Sequence, residues 1–224
     1  MMMMTASRWE QVLASVRAAG PRAQVLDMYP QRLTETRAAG LAAALAEGGG
    51  VAHLFACLAA GPWVPAALAR LAAALGAQGR TLSVGGGSVD DAAVAALAAA
   101  LAGNTTLVTL QLDVNSVGDE GAQALAELLA APRCGLRTLH LNGNRIGAAG
   151  AAALAGALRR NTTLQHLSLG GNNIGVAGAT VLADALQGNR TLVSLSMEGN
   201  KDIPAAAVAA VYKRIHANAV GQLF

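Results

Sequence analysis

From Leu107 onward the chain alternates between two hydrophobic rhythms. In LVTLQLDVNSVG, beginning at Leu107, Leu110 and Leu112 alternate with Thr109, Gln111 and Asp113, which predicts a short strand with one buried face. In the Ala-rich stretch that follows, Leu125, Leu128 and Leu129 recur at three- and four-residue steps, one face of a helix. The pair of rhythms then repeats. LRTLHLNGNRIG starts at Leu136, LQHLSLGGNNIG at Leu164 and LVSLSMEGNKDI at Leu192, with leading leucines 29, 28 and 28 residues apart.

Stepping back by the same period finds weaker copies from Gly79, Val51 and Ala23, making seven units in all. In the first, Leu26, Met28, Leu33, Leu41 and Leu45 match Leu139, Leu141, Ile146, Leu154 and Leu158 position by position. Repetition at this period predicts a stacked solenoid in which each unit buries its apolar face against its neighbours. Gly118, Gly147 and Gly175 fall between strand and helix, where a positive φ is useful. Pro65 and Pro204 fall at helix starts, where proline is tolerated.

The pattern LxxLxLxxNxxG plus an Ala/Leu helix resembles the ribonuclease-inhibitor type of leucine-rich repeat, a class shared with NOD-like receptors and Ran GTPase-activating proteins. The resemblance implies an α/β solenoid of about seven repeats, with a curved parallel sheet on the concave side and helices on the convex side. It also implies a structural asparagine ladder at Asn115, Asn144, Asn172 and Asn200. The first three units carry Gln31, Ala59 and Gly87 there, so the ladder is expected over the second half only. Strands pair at ~4.8 Å and helices pack at ~8–10 Å, so such a stack turns by roughly 20–25° per unit into an open arc. The expected organisation is a capping helix over 1–22, the repeat array over 23–218 and a tail over 219–224.

Hydrophobic residues make up 54% of the chain but aromatics only 3%, so the helices are largely alanine and pack through small side chains. The net charge of +3 invites a nucleic-acid reading. Against it, the arginines are scattered, only Arg159–Arg160 and Lys213–Arg214 being adjacent basic pairs, and no aromatics interleave with them for base stacking. Cys57 and Cys134 lie three repeats apart, beyond disulfide reach, and read as reduced thiols. A cytoplasmic protein is expected. The Arg-bearing N-terminus leaves an organellar address as the alternative, against a cap in which Ser7 and Glu10 form a capping box and Trp9, Val12, Leu13 and Val16 one apolar stripe. A ciliary particle is a further alternative. Val51–Ala69 is apolar but in repeat register and broken by Gly61 and two prolines, so no membrane span is expected. Asn104, Asn161 and Asn189 begin Asn-x-Thr triplets at one turn of the repeat and need no glycan.

Candidate chemistry is sparse. Gly85–Gly87 lacks the Gly-Lys-Ser/Thr of a phosphate loop, and Gly143, Gly147 and Gly150 are repeat turns rather than a dinucleotide fingerprint. His53, His140 and His166 match no metal-ligand spacing, although the last two fall on adjacent strands. No catalytic residue, cofactor or metal is expected. The reading is a non-enzymatic protein-binding module, an adaptor or a subunit of a large assembly. Its partner would sit on the strand positions that alternate with the buried leucines: Asp27, Tyr29, His53, Phe55, Gln111, Asp113, His140, Asn142, His166 and Glu198, with Trp63 nearby. Those positions include no Lys or Arg, and Val25, Tyr29 and Phe55 make one apolar patch, open to a partner or covered by the N-terminal helix. The alternatives are a regulator of an enzyme, nuclease-inhibitor-like or GTPase-activator-like, and a purely structural subunit.

Overall fold

A computed structural model describes residues 6–18, 25–47, 51–76, 78–203 and 205–221. Strands and helices alternate as the two rhythms require. The strands are β1 Val25–Leu33, β2 His53–Leu58, β3 Thr81–Gly85, β4 Thr109–Gln111, β5 Thr138–His140, β6 His166–Ser168 and β7 Ser194–Ser196. The helices are α1 Ala6–Ala18, α2 Glu35–Ala46, α3 Val64–Leu75, α4 Asp91–Leu101, α5 Asp119–Ala130, α6 Ala148–Leu158, α7 Gly175–Ala185 and α8 Ala205–Gly221. All seven strands form one parallel sheet in chain order, each pairing with the next. The architecture is therefore an α/β leucine-rich-repeat solenoid, with the sheet lining the concave side and the helices the convex.

The core runs between the two layers. Leu54, Leu82, Leu110 and Leu139 are fully buried in register across the sheet, and Leu68, Leu97, Leu125 and Leu154 answer them from the helices. Two glycines let adjacent helices approach closely. A Cβ on Gly150 would sit 2.9 Å from the Cβ of Ala122, and one on Gly178 would sit 2.9 Å from that of Ala151. Pro65 stands in the first turn of α3, and Pro204 lies outside the described residues.

The first unit departs from its expected register. Asp27 faces Phe55 but the next pair is Arg32 with Cys57, so β1 bulges over the intervening residues. Leu33 consequently stays in the sheet opposite Leu58, instead of matching Ile146 in the turn, and Arg32 enters the concave register that was expected to lack a cation. The physical reason is Pro30, which has no N–H to give a ladder. The side chains of Tyr29 and Gln31 lie outside the described residues, as does that of Ser7 in the expected capping box.

The expected role of the turn glycines also needs correction. Gly118 and Gly147 have φ of −104° and −99°, and only Gly175 of the three is left-handed, at +63°. They are small because Asp91 and Asp119 of the preceding units reach over them: Asp91 Oδ1 accepts N–H bonds from Gly118 and Gly121 at 2.6 and 3.0 Å, and Asp119 Oδ1 from Gly147 and Gly150 at 2.7 and 2.8 Å. The left-handed turn position lies earlier, at Gly86, Val114, Gly143, Gly171 and Gly199. Val114 is the single non-glycine of that row, with φ +55°.

Candidate interaction surface

The strand pairing lays the concave residues out in two rows. One runs Val25, His53, Thr81, Thr109, Thr138, His166, Ser194, and the other Asp27, Phe55, Ser83, Gln111, His140, Ser168, Ser196. The surface is thus mostly hydroxyl, amide and imidazole. Its apolar members, Val25 and Phe55, stand on neighbouring strands at the N-terminal end. Val25 is 65% exposed, and Phe55 is half-buried. Helix α1 leaves Val25 largely exposed: its Leu13 and Trp9 pack over Gly40 of α2, while its Val12 and Val16 line a shallow recess beside Val25 and Leu26. Arg37 of α2 stacks over the Trp9 ring at 5.7 Å.

Not every expected contact residue is on this face. Trp63 caps the start of α3, half-buried, with its indole folded over Gly61, where a Cβ would lie within 2.6 Å of the indole Cδ1. It belongs to its own turn. Asp113, Asn142 and Glu198 lie past the ends of the strands, and the first two act as mortar: Asp113 Oδ1 accepts the Asn142 N–H at 2.7 Å, and Asn142 Oδ1 the Gly170 N–H at 2.8 Å. His140 faces Ser168 whereas His166 faces Thr138, so the two imidazoles are offset diagonally. Among the described residues no group of His, Cys, Asp and Glu is placed to hold a metal ion, and no helix is long and apolar enough to cross a membrane. His53 Nδ1 pairs with Thr81 Oγ1 at 3.0 Å.

The asparagines at the turn, buried except for half-buried Asn200, are bonded from unit to unit. Asn144 Nδ2 donates to Leu112 and Leu141 carbonyls at 2.9 and 3.1 Å, and its Oδ1 accepts the Val117 N–H at 3.0 Å. Asn115, Asn172 and Asn200 repeat this arrangement, Asn115 reaching back to Val84 and Val89 of the third unit. A second ladder was hidden in the Asn-x-Thr triplets. Asn161 and Asn189 are buried, each Nδ2 donating to a carbonyl of the preceding unit, Leu129 or Leu158, at 2.8 Å. Their amides are consumed by the fold, and a glycan on either would require opening it. Sequence reasoning also missed Tyr212 of α8, whose hydroxyl donates to Glu198 Oε1 at 3.4 Å and supplies an exposed ring at the C-terminal end. Burial and the Glu198 carboxylate both raise its pKa.

Against known families, residues 103–126, 135–155 and 160–183 match the one described as Leucine Rich repeat. The match covers three of the seven units. No curated protein matches the chain. Among solved structures, the repeat array is similar to the leiomodin-1 actin-binding site 2, with 22% identity, a TM-score of 0.63, and coverage of 74% of this chain and 94% of that one. It also aligns to the tropomodulin C-terminal domain of Caenorhabditis elegans at 12% identity and a TM-score of 0.43, over 96% of this chain and 95% of that one, a likeness too weak to argue from.

Proposed function

We propose that this leucine-rich-repeat protein is a non-enzymatic adaptor of the ribonuclease-inhibitor type that holds a protein partner on the N-terminal end of its concave sheet. The observation that carries the reading is the diagonal placement of exposed Val25, which faces His53, and half-buried Phe55, which faces Asp27, on neighbouring strands of the concave face. Apolar and aromatic anchors of this kind dominate binding energies, while the surrounding hydroxyl and amide rows give a wettable, adaptable rim. In this reading residues 1–22 cap the array, α8 runs to Gly221 through the start of the segment expected as a tail, and the free buried cysteines suit the cytoplasm.

The test is cross-linking and capture from native lysate with the full chain and a Val25→Asp, Phe55→Ala double variant. Loss of one specific partner, with an unchanged urea midpoint, supports the proposal. Undiminished capture moves the site to the convex helices, a rim or the C-terminal strands. The leiomodin segment is an actin-binding site, so filament co-sedimentation is the first targeted assay to add, and the same double variant decides whether any actin binding uses this face.

A further inference from the structure

The arginines that look scattered along the sequence are gathered by the fold. Five turns lead from the C-terminus of a helix to the start of the next strand, from α3–β3 to α7–β7, and all of them emerge on one flank of the arc. Together they carry Arg80, Arg133, Arg137, Arg159, Arg160 and Arg190, with no Asp or Glu and no Lys. All six are exposed. On the opposite flank, the turns and first helical residues hold Asp90, Asp91, Asp113, Asp119, Glu120, Glu198 and Asp202 against Arg145 and Lys201. A molecule of net charge +3 is therefore strongly polarised from flank to flank.

Helix dipoles explain part of this. Cations stabilise helix C-termini, but the effect falls off within the last turn, so it accounts for Arg159 and Arg160 and leaves Arg80 and Arg137, one residue before their strands, and Arg190, in mid-turn, without a reason. Nor are the arginines spent on internal pairing. The ion pair of Arg17 with Glu47 lies at the far end of the array. Of the six guanidinium groups, that of Arg80 alone donates to the protein, to the Thr106 carbonyl at 3.1 Å.

The same flank has an apolar recess. Asn104, Asn161 and Asn189 brace successive turns here, but Arg133 occupies the ladder position between the first two and makes no such bond. The unbraced turn carries Pro132 and belongs to the 29-residue unit. Beside it a recess of about 280 Å³ opens between Leu101, Gly103, Leu128, Pro132 and Cys134, with Arg133 at its edge. That is at the lower bound of the ~300–1,000 Å³ typical of small-molecule sites, a size suited to a side chain.

We infer that this flank is a second docking surface, distinct from the concave face, and that it takes an acidic polypeptide segment bearing one apolar side chain. The arginine row pairs with carboxylates, for which the planar guanidinium fork is well shaped, and the recess takes the apolar residue. A nucleic acid would find no aromatic ring to stack on along these turns, and would leave the recess unused. A bilayer would find none of the aromatic or lysine anchors of interfacial binding.

The probe is a fluorescent glutamate-rich peptide with one central leucine, titrated into the full chain and read by anisotropy. Binding should weaken about tenfold or more when serine replaces the peptide leucine. A comparable loss should follow Arg133→Glu with Arg137→Glu, or the independent pair Arg159→Glu with Arg190→Glu. It should also fall as salt rises from ~0.1 M to ~1 M, where the screening length shrinks from ~10 to ~3 Å. Gly103→Phe, at a position where an added Cβ meets nothing within 4 Å, should fill the recess and reduce the leucine peptide to the affinity of the serine one. Circular dichroism checks that each variant is folded. The concave Val25→Asp, Phe55→Ala variant should bind the peptide normally, so failure of the concave site and failure of this one are read separately. Equal affinity for the two peptides, binding that survives both charge reversals, or tighter capture by a single-stranded oligonucleotide or phosphatidylserine vesicles would each overturn the inference.

Discussion

Replacing Val114 by glycine should make the protein more stable. Val114 occupies the turn position that Gly86, Gly143, Gly171 and Gly199 fill in other units, and it holds φ at +55°, where a β-branched side chain crowds its own backbone. Such strain costs on the order of 1–3 kcal/mol. The side chain is 69% exposed, so little apolar burial is forfeited by removing it. Glycine frees the unfolded chain, which takes back ~0.4–1 kcal/mol. The net gain is therefore ~0.5–2 kcal/mol, or roughly 2–4 °C in Tm per kcal/mol for a chain of this size. Urea denaturation followed by far-UV circular dichroism reads it as a raised midpoint at constant slope. Gly143→Val, the reverse change one unit later, should lose stability by at least as much, since it introduces the same strain beside Val114, whose Cγ2 would lie 3.5 Å from the new Cβ. A Val114→Gly protein that is unchanged or weaker would refute the assignment of strain to this turn.

Asn144→Ala strands the Val117 N–H and two carbonyls in a buried turn and should cost ~2–4 kcal/mol by urea titration, whereas Asn200→Ala, at a half-buried turn that water reaches, should cost less. Leu139→Ala should cost ~2–5 kcal/mol through its cavity, and Thr138→Ala, on the open face, about 0.5 or less; equal losses would contradict the strand register. Two glycine-to-alanine changes should differ in sign: Gly156→Ala, with open space around its Cβ, gains ~0.5–1 kcal/mol of helix propensity, while Gly150→Ala drives a methyl to 2.7 Å from Asp119 Oδ1 and loses ~1–3 kcal/mol, both measured by thermal melts. Burial raises the Cys134 thiol pKa above its ordinary value, so native Cys134 should resist alkylation near neutral pH and react on unfolding; because the raised pKa belongs to the folded state, its contribution to stability is present below the unfolded pKa and is lost as pH rises through the folded one.

Much of the array was legible because its periods of two and three-to-four are local, and each later unit repeats them cleanly. The first unit was not, since Pro30 forces a bulge whose length depends on what the neighbouring strand offers. The glycines at 118 and 147 were seen but given the wrong reason: their smallness answers to Asp91 and Asp119, each 27 or 28 residues upstream, and no local window contains both partners. The Asn-x-Thr triplets recur visibly, yet read singly they suggest a modification motif, when their regular spacing points to a ladder. The arginine flank was the largest omission. Its members span Arg80 to Arg190, and nothing in their linear spacing suggests a cluster until the chain is wrapped at the repeat length.

The unit-to-unit donations of the two asparagine ladders all point one way. Asn115, Asn144, Asn172 and Asn200, and likewise Asn161 and Asn189, reach from a later unit into the backbone of an earlier one. A unit emerging from the ribosome therefore has its turn completed only by its successor, and the growing end is the least finished part of the molecule at every moment of synthesis. Assembly is vectorial, each arrival locking the one before it. In helix α8, Asn218 donates to the Leu192 carbonyl at 2.9 Å and performs that locking step for the seventh unit from a helix. Stalled translation before Asn218 should leave that unit open to proteases while the units behind it are already closed.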